Sequence, residues 1–167
     1  MVFNIPSPVK FIIDKLYNNG FEAFMVGGCV RDSVLGAIPK DFDITTSATP
    51  KITESLFNKT IPTGLQHGTI TVLLNDESYE ITTDRTEGDY INNRKPESVK
   101  FVSNIKEDLS RRDFTINALA YNDREGLIDY FNGISDLNNK IIRAVGDPNI
   151  RFKEDALRML RAIRFSC

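Results

Sequence analysis

The chain has 167 residues, 41% hydrophobic and 26% charged, with a net charge of −2 and a mean hydropathy of −0.25. Such a chain suits one globular domain, or one domain with an extension, and is long enough to bury a core. It lacks the overall basic footprint of many nucleic-acid binders, any apolar run near the ~18 residues of a membrane helix, and a disulfide framework, since Cys29 and Cys167 are its two cysteines. The opening "MVFNIPSPVK" has no basic stretch followed by an apolar one, so no secretory signal is expected. A reducing, cytoplasmic setting follows as the expectation. Local basic patches stand at 94–95, 111–112 and 151–164.

The spacing of apolar residues predicts a helix over 8–18, stopped by Asn18-Asn19-Gly20. "FEAFMV" (21–26) reads as a short buried strand. Gly27-Gly28 breaks it, and 29–36 reads as a helix closed by Gly36. A strand is expected over 40–47. Ser47 or Thr49 is placed to cap a helix at 50–58, with Pro50 in its first turn. Strands follow at 67–74 and 78–84, joined through "NDE". Residues 85–97 are polar with Gly and Pro, and predict a mobile loop. A strand at 98–102 precedes a segment, 105–121, read as helical in two pieces. Residues 127–145 read as two short strands about a turn at Asn132-Gly133, and 151–165 as one last helix. The alternation argues for an α+β fold: a mixed, mostly antiparallel sheet of about five strands with flanking helices.

Within "KDFDI" (40–44), strand alternation puts Asp41 and Asp43 on one face and Phe42 and Ile44 on the other. Two carboxylates so close repel unless water or a cation compensates. An exposed strand edge is the plain alternative. Glu80, on a neighbouring strand, is a candidate third acid, and such an oxygen-rich set suits Mg²⁺. Its alternative is an exposed edge glutamate.

Three further constellations bear on anion binding. Gly27-Gly28, between a strand and a helix, allows close backbone approach, and Arg31 lies within the helix's first turn; a simple tight turn is the alternative. Arg111-Arg112-Asp113 offers guanidiniums for a triphosphate and a carboxylate for a ribose hydroxyl, against a role for Asp113 as the cap of a helix at 114–121. In the last helix Asp155, Arg158, Arg161 and Arg164 fall on one face, with Ala156, Leu160 and Ile163 on another. A solvated, salt-bridged stripe is the alternative. Three stacked arginines with few acids would be relieved by an anionic ligand. An Asp–Arg pair also matches the amine-plus-acceptor edge shared by cytosine and adenine, and mismatches guanine and uracil.

The ordered segments "GGCVRDSVLG…KDFDITTSATP", "YEITTDRTEGDY…RKPESVKFV", "RRDFTINALAY" and "EDALRMLRAIRF" resemble the bacterial and eukaryotic class of tRNA nucleotidyltransferases, or CCA-adding enzymes, of the DNA polymerase β-like superfamily. The resemblance runs from about residue 20 to the end. It implies a nucleotidyltransferase head over 1–145 and the start of a helical neck over 146–167. It implies Asp41 and Asp43 as catalytic metal ligands for Mg²⁺, with Glu80 as the acid often counted third. Gly27, Gly28 and Arg31 would bind nucleotide, Arg112 and Asp113 would grip triphosphate and ribose, and Asp155 and Arg158 would select CTP and ATP. Arg161 and Arg164 match further nucleotide-binding positions. The implied partners are a tRNA 3′ end, CTP and ATP, with no membrane. Relatives that add only CC or only A, and bacterial poly(A) polymerases, share these motifs; a non-catalytic nucleotide-binding module is the alternative of another class. Two positions depart from the pattern: Asp84, where an aromatic or aliphatic residue is usual, and Asn92, where Asp is common.

Overall fold

A computed structural model describes residues 3–88, 90–91, 95–96 and 98–166, with 90–91 and 95–96 described by backbone alone. Helix α1 (Ser7–Asn18) buries Val9, Ile12, Ile13 and Leu16, the helical spacing seen in the sequence. Strand β1 (Ala23–Val26) is buried along its whole length. Its alternation feeds two cores. Ala23 and Met25 join Ile12, Leu16, Ile44 and Ile81 on one face, while Phe24 and Val26 join Ile105, Leu109, Ala118 and Val145 on the other. A strand covered on both faces has no polar side, which is why "AFMV" is a continuous apolar run.

Helix α2 (Gly28–Val34) leads to β2 (Ile44–Thr46), and α3 (Pro50–Leu56) to β3 (Thr60–Gly64), β4 (Thr69–Leu74) and β5 (Glu77–Thr83). Asn75 and Asp76 both adopt positive φ, 51° and 64°, between β4 and β5. That is the two-residue hairpin geometry that Asn and Asp tolerate. Beyond β5 lie β6 (Arg85–Glu87), β7 (Tyr90–Ile91), β8 (Lys95–Pro96), β9 (Val99–Phe101) and α4 (Ile105–Ser110). Then come β10 (Ala120–Asn122), β11 (Gly126–Ile128), α5 (Gly133–Asn138), α6 (Pro148–Glu154) and α7 (Leu157–Ser166). The main sheet has seven strands in the order β11-β10-β1-β2-β5-β4-β3. Only β2 and β5 run parallel. The pairs β6–β9 and β7–β8 stand apart from it.

The α+β, mostly antiparallel fold agrees with the sequence reading, but several elements differ. There are seven strands in the sheet rather than about five: β3 and β10 are additional to the strands expected, β11 overlaps the first short strand expected in 127–145, and the strand expected over 98–102 pairs outside the sheet as β9. The strand expected over 40–47 is confined to Ile44–Thr46, and both acids precede it. Residues 65–67 form a 3-10 turn, so β4 begins two residues later than expected, at Thr69. The second helix expected within 105–121 is a 3-10 turn at Thr115–Asn117 followed by strand β10. Its residues ALAY are good helix formers, yet pairing of Ala120 and Tyr121 with β1 overrides propensity. Past Asn132 the chain forms α5 instead of a second short strand, its first amides held by Asp129 Oδ1 and Oδ2 at 2.8 and 2.9 Å. The single last helix is two helices, broken at Asp155–Ala156. Of the loop expected over 85–97, residues 85–87 are strand paired with β9. Positions 89, 92–94 and 97, including Asn92 and Arg94, lie outside the described residues.

Candidate functional site: an acid pair beside an arginine cleft

The Gly27–Gly28 turn follows the end of β1. Gly27 adopts φ +73°, and a Cβ there would lie 2.9 Å from Arg112 Nη1. Glycine is therefore favoured by the backbone angle, and its missing side chain also lets the guanidinium lie close without shifting. β1 and β2 are antiparallel with Met25 opposite Ile44, and Val26 N donates to Asp43 O at 3.0 Å. This pairing sets Asp43 directly beside the glycine turn.

A cavity of about 630 Å³ opens over that turn. Gly27, Gly28, Arg31, Asp43, Arg112 and Asp113 line one side, and Asp155, Arg158, Arg161 and Arg164 the other. Arg31 donates Nη1 to Asn117 Oδ1 at 2.7 Å, and Nε and Nη2 to Asp32 Oδ1 at 2.9 and 2.7 Å. Asp113 accepts on Oδ1 from Phe114 N (2.8 Å) and Asn117 Nδ2 (3.3 Å), and on Oδ2 from Arg161 Nε (2.6 Å). Asp113 thus bonds the amide that follows it, which is not the N2 or N3 amide a cap would hold, and no helix over 114–121 follows.

The arginine stripe is better compensated than its sequence suggested. Arg158, only 6% exposed, donates Nη1 to Glu154 Oε2 at 2.6 Å and to Arg151 O at 3.0 Å. Arg161 pairs with Asp113. Phe165 carries the Arg31, Arg161 and Arg164 guanidiniums 5.0, 5.7 and 5.0 Å from its ring centroid, and a ring face attracts such cations. The expectation of too few acids fails because Glu154, within the expected helix and four residues before Arg158, and Asp113, from another part of the fold, both pair with the stripe. Asp155 Oδ1 accepts from Leu157 N at 3.0 Å, capping α7, while it also lines the cavity.

Asp41 and Asp43 are both exposed, in the extended segment leading into β2. Asp43 also lines a second cavity, of about 790 Å³, together with Asp41 and Glu80. It therefore stands between the acidic space and the arginine cleft. Although the side chain opens to solvent, desolvation by the surrounding protein raises the Asp43 carboxyl above its ordinary range; Arg112 opposes the rise and Asp41 adds to it. Two hard carboxylates, one of them made costly to ionise first by desolvation and then by its neighbour, are a donor set that suits a divalent cation. The parallel register of Ile44 with Ile81 brings Glu80, on β5, level with Asp43. Even so, no group of three or more His, Cys, Asp or Glu side chains disposed to hold a metal occurs among the described residues. Cys29 lies under the pair, but burial pushes its thiol up to about 11, which leaves it an inert, packed side chain.

All the residues expected at the nucleotide site thus border one cavity, and the three candidate acids border its neighbour. Sequence reading missed Asn117, Phe165, Glu154, Asp108 and Glu87. Asn117 falls four residues after Asp113, a spacing that was assigned to a helix. Phe165 falls at the end of the expected helix, and nothing in its pattern marks the ring as a seat for cations.

A family model described as the poly A polymerase head domain matches residues 23–143. CCA-adding enzymes of Staphylococcus aureus strains MRSA252 and Newman are each 56% identical over 154 residues, covering 92% of this chain and 38% of their own length. Among solved structures, the Bacillus stearothermophilus CCA-adding enzyme in complex with CTP superposes with a TM-score of 0.87 at 44% identity, over 96% of this chain and 39% of that one. A tRNA nucleotidyltransferase complexed with a primer tRNA and an incoming ATP analog gives a TM-score of 0.73 at 33% identity, over 93% of this chain and 44% of that one. The chain thus spans less than half the length of these relatives. With the head-domain match covering most of its residues, and with the fold and ordered motifs described above, the chain belongs to the poly A polymerase head domain family.

Proposed function

We propose that this chain is the catalytic head of a template-independent nucleotidyltransferase that adds CMP and AMP to the 3′ end of tRNA, in the cytoplasm. The observation that carries this reading is the position of Asp43, shared between a carboxylate-lined cavity and an arginine-lined one. The names of the relatives, CCA-adding enzymes, and the CTP and tRNA in two of the solved structures support the substrate class. Residues 1–145 would form the head and 146–167 the start of a neck. No described helix is long and apolar enough to cross a membrane.

In this reading the triphosphate lies in the arginine cleft. Arg112, Arg31 and the amides at the Gly28 end of the turn supply positive potential to its oxygens. Asp113 faces the ribose, and Asp155 and Arg158 face the base. The 3′-hydroxyl oxygen of the tRNA attacks the α-phosphorus; a new P–O bond forms, the α–β bridge breaks, and pyrophosphate leaves. Asp41 and Asp43 would hold Mg²⁺, with Glu80 as a candidate third acid. When bound, the ion would favour the hydroxyl's ionised form and neutralise charge on the leaving phosphate. The protein's own part is to hold the α-phosphate at Asp43, where the two cavities meet.

The test is incorporation of each labelled nucleotide by the full-length protein on tRNA lacking CCA, lacking CA and lacking A. CMP on the first two substrates and AMP on the third support CCA addition. CMP alone would make it a CC-adding enzyme, AMP alone an A-adding one, and long A tracts a poly(A) polymerase. Nucleotide binding without any transfer would leave only a binding module.

A further inference from the structure

Arg111 lines the arginine cleft but has little left to offer an anion. Its Nη1 donates to Glu87 Oε1 at 2.9 Å, and its Nε and Nη2 donate to Asp108 Oδ1 at 2.9 and 2.8 Å. Burial alone would lower its pKa; Asp108 and Glu87 reverse that and raise it. Asp108 is fully buried. Its second oxygen, Oδ2, accepts from Arg112 Nη2 at 3.1 Å. Burial would raise its pKa, but Arg112 and Arg111 hold it below the usual carboxylate range. A continuous line of charge therefore runs Glu87–Arg111–Asp108–Arg112, ending on the guanidinium packed against Gly27.

The two ends of this line belong to different parts of the fold. Glu87 closes β6, the strand that pairs with β9 apart from the main sheet. Arg112 stands at the phosphate side of the cleft, immediately past α4. Glu87 is also shared: Arg85 Nη2 lies 3.4 Å from Oε1. Arg85 is largely buried, and its pKa is lowered, first by burial and then by the like charge of Arg111. Without the Glu87 charge, two buried guanidiniums would face each other with one fewer carboxylate between them.

We propose that Glu87 and Asp108 are positioning residues, and that Arg111 is a relay between them and not a phosphate ligand. Through this relay the β6–β9 arm sets the orientation of Arg112, and so governs the grip on the nucleoside triphosphate. The proposal rests on the nucleotide-cleft reading above and deepens it. A merely structural staple would act on stability and on turnover alike. A relay acts on the ground-state grip of the triphosphate, hence on KM more than kcat.

The experiment uses Glu87→Gln in the full-length protein, with two readouts. The first is steady-state CMP transfer; the KM for CTP should rise about tenfold, the size of one lost charge-assisted bond, with kcat changed much less. The second is the ¹⁵N–¹H resonance of Arg112 Nε, which should shift or broaden without any substrate present. Glu87→Asp, which keeps the charge, should restore much of both; if Glu87→Gln does not fold, Arg111→Lys, which keeps a charge but loses the fork that joins Glu87 to Asp108, replaces it and should move the same Arg112 resonance. An unchanged Arg112 resonance overturns the relay, as does a fall in kcat with KM unaltered. If the wild-type protein transfers nothing, the nucleotidyltransferase reading fails, while the Arg112 resonance still decides the coupling.

Discussion

Burial of Asp84 sets its protonation. The side chain has no exposed surface, Thr45 Oγ1 donates to Oδ1, and Oδ2 has no hydrogen-bond partner. Burial raises its pKa to about 7, Thr45 opposes this, and the charge of Asp108 adds to it. Between about pH 4 and pH 7 the folded chain holds a proton that the unfolded chain has lost. Stability therefore falls as pH rises through that window, and the loss is complete above it, on the order of a few kcal/mol. Asp84→Asn should remove this dependence, so its gain over wild type in urea unfolding should be larger at pH 8 than at pH 5. An equal difference at both pH values would contradict the raised pKa. The sequence marked Asp84 as a departure from its family, but not its burial, which depends on β2, β5 and α4 closing around it. A second test at this scale concerns Arg158. Its burial against Glu154, which keeps Arg151 as a second partner, means that Arg158→Ala should cost about 1–3 kcal/mol in stability. Selectivity among four nucleotides is a ratio within one variant and is insulated from that loss. Arg158→Ala should weaken discrimination against UTP and GTP, measured by competitive incorporation. An unchanged profile would refute base reading by this residue.

At the scale of elements, what the sequence showed clearly was whatever local spacing decides. Helix α1, strands β1 and β5 and the Asn75-Asp76 turn follow from apolar period, a buried run and turn chemistry. What it hid was decided by tertiary pairing. Ala120 and Tyr121 of "ALAY" become strand because β1 offers an open edge, and the last helix breaks because Asp155 caps α7 instead of continuing α6. The candidate site residues were legible as motifs, although the acid pair precedes the strand expected to carry it and no helix follows Asp113. Of their partners, Asp108 and Glu154 stand three or four residues from Arg111, Arg112 and Arg158, a spacing visible in the sequence, while Glu87 meets Arg111 only after folding. The double burial of β1 carries a quantitative expectation. Phe24 is fully buried in the smaller core beside Ile105 and Leu109. Phe24→Ala should lower unfolding free energy by about 3–5 kcal/mol in chemical denaturation. A loss below about 1 kcal/mol would mean that β1 is not sandwiched between two cores.

Taken as a whole, the molecule places opposed charges side by side. Carboxylates gather along the segment before β2 and on β5, guanidiniums along α2, the 111–112 step and α7, and the glycine turn lies between them. A net charge of −2 conceals this separation, which is why bulk composition offered no sign of an anion-binding cleft. Helix α7 is turned so that Arg158 faces inward while Leu160 and Ile163 are 63% and 60% exposed, the reverse of ordinary amphipathic packing. The helix thus presents charge to the cleft. The central claim, nucleotidyl transfer at the junction of the two cavities, is tested most directly at Asp43. The measurement is transfer of labelled CMP from CTP to tRNA lacking CCA by full-length wild type and Asp43→Asn. Wild type should extend the tRNA, and Asp43→Asn should do so at least about a thousandfold more slowly, with its circular dichroism unchanged. Extension by Asp43→Asn at the wild-type rate would contradict it.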